Sequence, residues 1–346
     1  MSTGTTVLEV REVDPTDDAT VDAWHAAYLA AEVHEVGPVA TPWRFEEVRA
    51  RLLAGDGRRE RTRAYVGLRD GVVVASGLLV LPLLANLRRT EVRVHVHPDA
   101  RRAGAGTAML ADLETRAREA GRTLAFTDCT WAWSAGSDGA GRPGPEFARR
   151  HGYALALSDV MRVLDLPVPT DRLAALADEA APHHAAYDLR AWLGPVPDDL
   201  VAVWVALEST IETEAPTGGL DVEPQAADVE ALRESEAVLA QQGRTKINAV
   251  AVTGAGEVVA YSDVAVTLHE PERAYQWGTL VRRDHRGHRL GLALKLATLR
   301  LLQDGWPGVR QVVTYNAEVN GPMVAVNEAM GYRPVARLGE FQKHLA

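Results

Sequence analysis

A single cysteine, Cys129, occurs in 346 residues, so no disulfide can form within the chain, and a reducing, cytoplasmic setting is the expectation. Lysine is nearly as scarce: Lys246, Lys295 and Lys343 stand among 37 basic residues, the rest being arginine. The formal net charge of −10 leaves no broad basic face, which argues against a nucleic-acid partner. No apolar run approaches the roughly 20 residues that cross a bilayer, so no membrane partner is expected. The short polar start, Met1 to Glu12, carries no apolar signal core. Hydrophobic residues make up 47% and charged ones 24%, the balance of a globular protein long enough for two domains.

The chain is organised around a stretch that occurs twice, Val96 to Thr107 and Val281 to Leu292, aligned without a gap at an offset of 185 residues. In each copy a strand-like run (Glu91 to Val96; Tyr275 to Val281) enters a short Arg/Gly loop, and a helical pattern follows. A strand feeding such a loop presents free backbone N–H groups and the positive end of a helix dipole, which together bind anions. Neither copy has the Gly-Lys-Ser/Thr of a Walker A loop. Gly104 and Gly106 lack the third glycine of a dinucleotide fingerprint, since Met109 stands there.

Around these loops the halves repeat one order: strand, two helices, three strands, helix, strand, helix, two strands. Thr6 to Val13 reads as the opening strand. A hairpin is expected at Arg69-Asp70-Gly71, and helices after Gly104 and Arg289. Two closing strands are expected near Ala154 to Leu157 and Val160 to Leu164. Leu166-Pro167-Val168-Pro169 breaks the pattern, which divides the chain into residues 1–166, a linker over 167–184 and residues 185–346. The class is α/β (α+β).

Both loops resemble the Arg/Gln-x-x-Gly-x-Gly/Ala loop of the GNAT acyl-CoA N-acyltransferases. Arg101 to Gly106 matches at each position. Arg286 to Gly291 matches except at the fourth, where Arg289 replaces glycine; an arginine there is expected at negative φ, because a left-handed one is strained. The layout is similar to the mycothiol synthase-like two-domain acetyltransferases of high-GC bacteria. The resemblance implies two tandem GNAT domains, each a mixed, splayed central sheet flanked by helices. It implies acetyl-CoA (coenzyme A) as acyl donor and a small-molecule amine as acceptor, in a monomer or homodimer.

Carried over residue by residue, the coenzyme-binding set in the second half is Leu280, Val281, Arg286, Gly287, His288, Arg289, Leu290, Gly291 and Leu292, with Asn316 and Asn320 for the pantetheine arm. In the first half it is Val96, Arg101, Gly104, Gly106 and Thr107. The run Asp128 to Trp133 has tryptophans where the second half has asparagine, so the first half is read as the degenerate copy and the second as the catalytic one. Glu214, in an acidic run near the expected acceptor pocket, and Gln276, on the strand beside it, are the polar candidates there. Glu91 is the counterpart of Gln276. Many family members place a tyrosine four residues before the last Gly-Tyr/Phe, to protonate the leaving sulfur; Asn327 and Ala148 stand there instead, so Asn327 is expected at most to orient the thioester. No metal is expected: His285 and His288 lack a companion ligand. Cys129 reads as a packed, inert thiol. A non-enzymatic acyl-CoA sensor or scaffold is the alternative.

Overall fold

The computed structural model describes residues 8–345. The start of the strand expected at Thr6 to Val13 lies outside the described residues; its described part is β1 (Glu9–Glu12). Then come α1 (Asp18–Val36), α2 (Phe45–Ala54), β2 (Glu60–Arg69), β3 (Val72–Pro82), β4 (Arg89–Val96), α3 (Ala105–Glu119), β5 (Leu124–Ala132), α4 (Pro143–Arg150) and β6 (Ala154–Asp165). After α5 (Thr170–Ala180) the order repeats as β7 (Tyr187–Leu193), α6 (Val201–Glu208), α7 (Ile211–Glu214), α8 (Val229–Gln241), β8 (Arg244–Thr253), β9 (Val258–Thr267) and β10 (Arg273–Val281). The chain ends with α9 (Leu290–Gly305), β11 (Gln311–Ala317), α10 (Gly321–Met330) and β12 (Arg333–His344).

Local chemistry explains most of these boundaries. Asp17 caps α1 by accepting from the Thr20 amide, and Val21, Trp24 and Tyr28 form its buried stripe. Asp228 caps α8, accepting from the Ala231 amide at 2.8 Å. Asp70 and Gly71 both have positive φ, as a two-residue hairpin turn requires. No helix among the described residues is long and apolar enough to cross a membrane.

One expectation needs correction. Each half closes with one strand, not two: Ala154–Asp165 runs on without a turn through the Leu157–Val160 junction, because no glycine or proline interrupts it. The chain forms two compact units, one of residues 1–158 and 336–346, the other of residues 159–335. In the first unit the strand order is β1-β2-β3-β4-β5-β12; in the second it is β6-β11-β10-β9-β8-β7. Neighbours are antiparallel except for the parallel pairs β4–β5 and β10–β11. Each unit thus closes its sheet with the strand that follows the other half in sequence. The division at 166 and 185 does not anticipate this exchange.

In the first unit Met109, Leu113 and Ala117 of α3 pack on one sheet face with Leu79 and Val92, while Trp24 and Tyr28 of α1 cover Ala64 and Val66 on the other. In the second, α9 is buried on nearly all sides, as its apolar sequence predicts, and Trp204 of α6 packs with Val250 and Tyr261.

Candidate active site

In both units the parallel strand pair separates at corresponding residues. β4 pairs with β5 only over Arg89 to Glu91, and β10 with β11 only over Arg273 to Gln276, although all four strands continue. Each sheet therefore opens as a V, and β4 and β10 run on from it into the repeated loops.

The loops have one conformation in the two units. Arg101 Nε donates to the Val96 carbonyl at 3.2 Å and Arg286 Nε to the Val281 carbonyl at 3.1 Å. Each arginine also holds a carboxylate: Arg101 Nη1 lies 2.5 Å from Glu35, and Arg286 Nη2 3.1 Å from Glu214. Two residues per loop are left-handed, and their identities are exchanged between the copies. They are Arg102 (φ 65) and Gly104 (φ 84) in the first, Gly287 (φ 87) and Arg289 (φ 53) in the second. The expectation that Arg289 has negative φ is thus overturned. The fold needs a left-handed residue to open α9, as Gly104 opens α3, and it imposes this on arginine. Arg289→Gly is expected to stabilise the protein by about 1 kcal/mol, because the strain removed outweighs an exposed pair with Glu179. Thermal denaturation checks it, and a lowered midpoint would show that the arginine contributes more than it costs.

Beyond each loop the first-turn amides of α3 and α9 have no carbonyl one turn back. Leu290, Gly291 and Leu292 supply them in the second unit, and Thr107, whose hydroxyl meets His151 Nε2 at 3.1 Å, lies in the first turn of α3. Gly106 sits close under Phe147, where a Cβ would stand 3.2 Å from the ring. His288 Nδ1 binds the His183 carbonyl at 3.1 Å, and His285 Nδ1 the Tyr187 hydroxyl at 2.8 Å.

The second unit has a feature its counterpart lacks. Between Gln276 and Thr279 the register of β10 on β9 shifts, so Trp277 and Gly278 oppose Asp263 in a bulge. β4 runs against β3 in unbroken register. Gln276 clamps the bulge from inside: its Nε2 donates to the Asp263 carbonyl at 2.7 Å and the Gly278 carbonyl at 3.1 Å. The Gly278 amide donates to Asp263 Oδ1 at 2.7 Å, and Asp263 Oδ2 pairs with Lys246 at 2.6 Å. Only glycine fits at 278, since a Cβ would fall 2.6 Å from the Tyr261 ring.

Other candidates have other places. Glu214 is held by Arg283 at 2.8 Å and by Arg286, so its carboxylate is committed to the loop. Asn320 caps α10, accepting from the Met323 amide at 3.4 Å. Asn316 Oδ1 accepts from Arg162 at 2.8 Å and from Asn327 Nδ2 at 3.0 Å, and Asn327 Oδ1 accepts from Lys295 at 2.6 Å. Asn327 is 0% exposed, and its amide joins α9, α10 and β11 inside the unit. Lys295, 1% exposed, is pushed down to about 7 by burial and then by the Arg162 charge. Glu214, Gln276 and Asn327 thus have separate partners: the loop arginines, the β10 bulge, and Lys295 with Asn316. Burial pushes the Cys129 thiol well above its ordinary value.

The sequence reading missed Asp263, Lys246, Lys295 and Arg162. Lys295 had a signal, being the lone charge in the first turns of an otherwise apolar helix. Asp263 and Arg162 had none, because ordinary strand alternation does not reveal a buried partner.

Residues 23–130 match the acetyltransferase (GNAT) family, a span that includes the first loop. A tandem GNAT protein from the clavulanic acid biosynthesis pathway is similar at 29% identity and a TM-score of 0.77, with 98% of this chain and 99% of that one covered. Two structures share the fold. A GCN5-related N-acetyltransferase from Sphaerobacter thermophilus has 17% identity and a TM-score of 0.63 over 98% of this chain and 96% of its own. Another from Kribbella flavida has 14% identity and a TM-score of 0.52 over 98% and 72%. No curated protein matches the chain in sequence. The repeated loop, the opened sheets and a relative similar along nearly its whole length agree on the fold of a tandem GNAT protein, and residues 23–130 carry the match to the acetyltransferase (GNAT) family.

Proposed function

We propose that the enzyme transfers the acetyl group of acetyl-CoA to a primary amine of a small molecule by direct attack, with the second unit as its principal site. The observation that supports this most is the bulge at Gln276–Thr279, at the point where β10 leaves β11 and before the anion-binding loop. A bulge re-aims the strand that borders the opening, so that a backbone N–H near Leu280 can polarise a thioester carbonyl.

Each residue then has a part. The amides from Gly287 to Leu292 hold the pyrophosphate, which is acetyl-CoA's anionic centre. Arg286 and Arg283, tied to Glu214, keep the loop in place. Gln276 and Asp263 fix the bulge and with it the carbonyl-binding N–H. The amine must arrive neutral, and its nitrogen displaces a thiolate whose conjugate acid has a pKa of about 8.5 by analogy with cysteine. Water therefore suffices to protonate it, and the buried Asn327 need not.

Thiol release from acetyl-CoA, measured with a panel of small primary amines, tests the reading. Release stimulated by an amine is expected. If acetyl-CoA binds yet no amine accelerates release, the chain is a coenzyme-binding sensor instead. Gln276→Leu should lower kcat by about 10- to 100-fold, since it removes hydrogen bonds worth about 1 kcal/mol each from the bulge. The acetyl-CoA Kd should hardly move, because the loop is untouched; an unchanged kcat would show that the bulge does not set the reacting geometry.

A further inference from the structure

Where β4 leaves β5, five ionisable side chains of the first unit meet. Glu91, Arg93 and His95 alternate along β4 and share one face, while Val92 and Val94 point into the core. Asp128 comes from β5, and Glu32 from α1. Arg93 lies 3.2 Å from Asp128 and 3.5 Å from Glu91. His95 Nε2 lies 3.1 Å from Glu32 Oε1, with the Tyr28 ring edge-on at 4.9 Å. These five side chains are 17% to 36% exposed, so they line an opening and are not sealed in the core.

The His95–Glu32 contact assigns the ring's protons. Burial opposes the charge on Glu32, but the His95 hydrogen bond and the charges of His95 and Arg93 outweigh it and hold the carboxyl below its usual range. An ionised carboxylate only accepts, so Nε2 is the nitrogen that donates to Glu32 and Nδ1 is the one left for a ligand. That Nδ1 is buried and has no hydrogen-bond partner, an unfavourable state unless a ligand completes it. An imidazole oriented by a carboxylate, with its other nitrogen unpaired, is the arrangement that takes a proton from a nucleophile brought against it. Within the cluster three carboxylates face the Arg93 guanidinium, which favours a cation, while the Arg51 and Arg89 charges also act on Glu91. The same strand leads into the Arg101–Gly106 loop, whose left-handed pair matches that of the second unit.

We propose that the first unit, read from its sequence as degenerate, is a second acyl-transfer site for a cationic amine, with His95 as general base and Glu32 as its positioning residue. The acyl donor is taken from the reading above; the base and the charge preference rest on this cluster. Glu32, Glu91 and Asp128 draw in the ammonium, and His95 Nδ1 takes one of its protons. The amine nitrogen bonds to the thioester carbonyl carbon, the C–S bond breaks, and a second amine proton leaves with the sulfur as coenzyme A thiol. His95 then returns its proton to solvent.

The test uses the full chain carrying Gly291→Asp, which disables the second loop. One acetyl-CoA should still bind by calorimetry. Thiol release should be stimulated by 1,5-diaminopentane at least about tenfold more, in kcat/KM, than by pentylamine, which lacks the second charge. Adding His95→Gln should lower kcat by about 100-fold or more without changing acetyl-CoA affinity, the range of a lost general base. Glu32→Gln should lower it less, and imidazole should partly restore a His95→Ala protein, which a merely structural residue would not allow. No diamine-stimulated release in the Gly291→Asp protein, or release that survives His95→Gln, overturns the proposal. Either result leaves the second-unit reading standing, because that reading fails only if the wild type transfers to no amine or is indifferent to Gly291→Asp.

Discussion

Gly291→Asp is expected to weaken acetyl-CoA binding at the second unit about a thousandfold and to remove the transfer that depends on it. Gly291 is the second residue of α9, where a Cβ would meet only Thr279 and Val281 methyl groups at 3.8 and 3.9 Å. Those are ordinary contacts, so the side chain fits. A carboxylate in the first turn of a helix also complements its dipole, so the fold should be kept or slightly stabilised. The same carboxylate stands where the pyrophosphate must lie. Two unit charges about 4 Å apart repel by about 4 kcal/mol at an effective dielectric of about 20, or about a thousandfold in affinity. Calorimetry should show one acetyl-CoA site lost. Binding with unaltered stoichiometry and affinity would place the coenzyme elsewhere and refute the assignment of this loop.

The second large effect concerns Lys295. Its folded value near 7 lies below the ordinary 10.5 because burial disfavours the ammonium and Arg162 adds a like charge. Between those values the unfolded chain holds a proton that the folded chain lacks, so stability rises with pH across that window. Below about pH 7 both states are protonated, and the full cost of a buried cation is felt. At a unit of pH per 1.36 kcal/mol, the gain from pH 7 to pH 10 is on the order of a few kcal/mol. Lys295→Met keeps the length and apolar stem, so it should stabilise the protein at pH 6 and flatten this dependence. It also leaves Asn327 Oδ1 without its donor, an opposing cost of about 1–3 kcal/mol that does not vary with pH. Denaturant unfolding of both proteins at pH 6 to 10 measures the difference. Parallel pH profiles would mean that Lys295 is charged throughout.

The repeat at an offset of 185 residues was legible because it is local and doubled. A strand, a glycine-bearing loop and a helix start each leave a mark within a dozen residues, and two copies in register are hard to produce by chance. Helix periods and the Asp70-Gly71 turn were legible for the same reason. The reading of the Arg289 backbone failed because residue identity was allowed to decide φ. The loop's closure onto a helix decided it instead, and the structure tolerates arginine at one of two left-handed positions in each copy.

By itself, then, the sequence determined most of the element order, the two repeated Arg/Gly loops and the fold class, all of which rest on interactions between near neighbours in the chain. Only the tertiary structure decided which strand closes each sheet, since β6 and β12 carry edges that pair equally well with either half's backbone. Tertiary packing also decided what the polar side chains do. His95 meets Glu32 across 63 positions, Lys343 meets Glu114 across 229, and Arg162 meets Asn316 across 154. The cost of burying a charge is met by whichever partner the fold delivers, and a pattern read along the chain has no term for a neighbour that arrives from so far away.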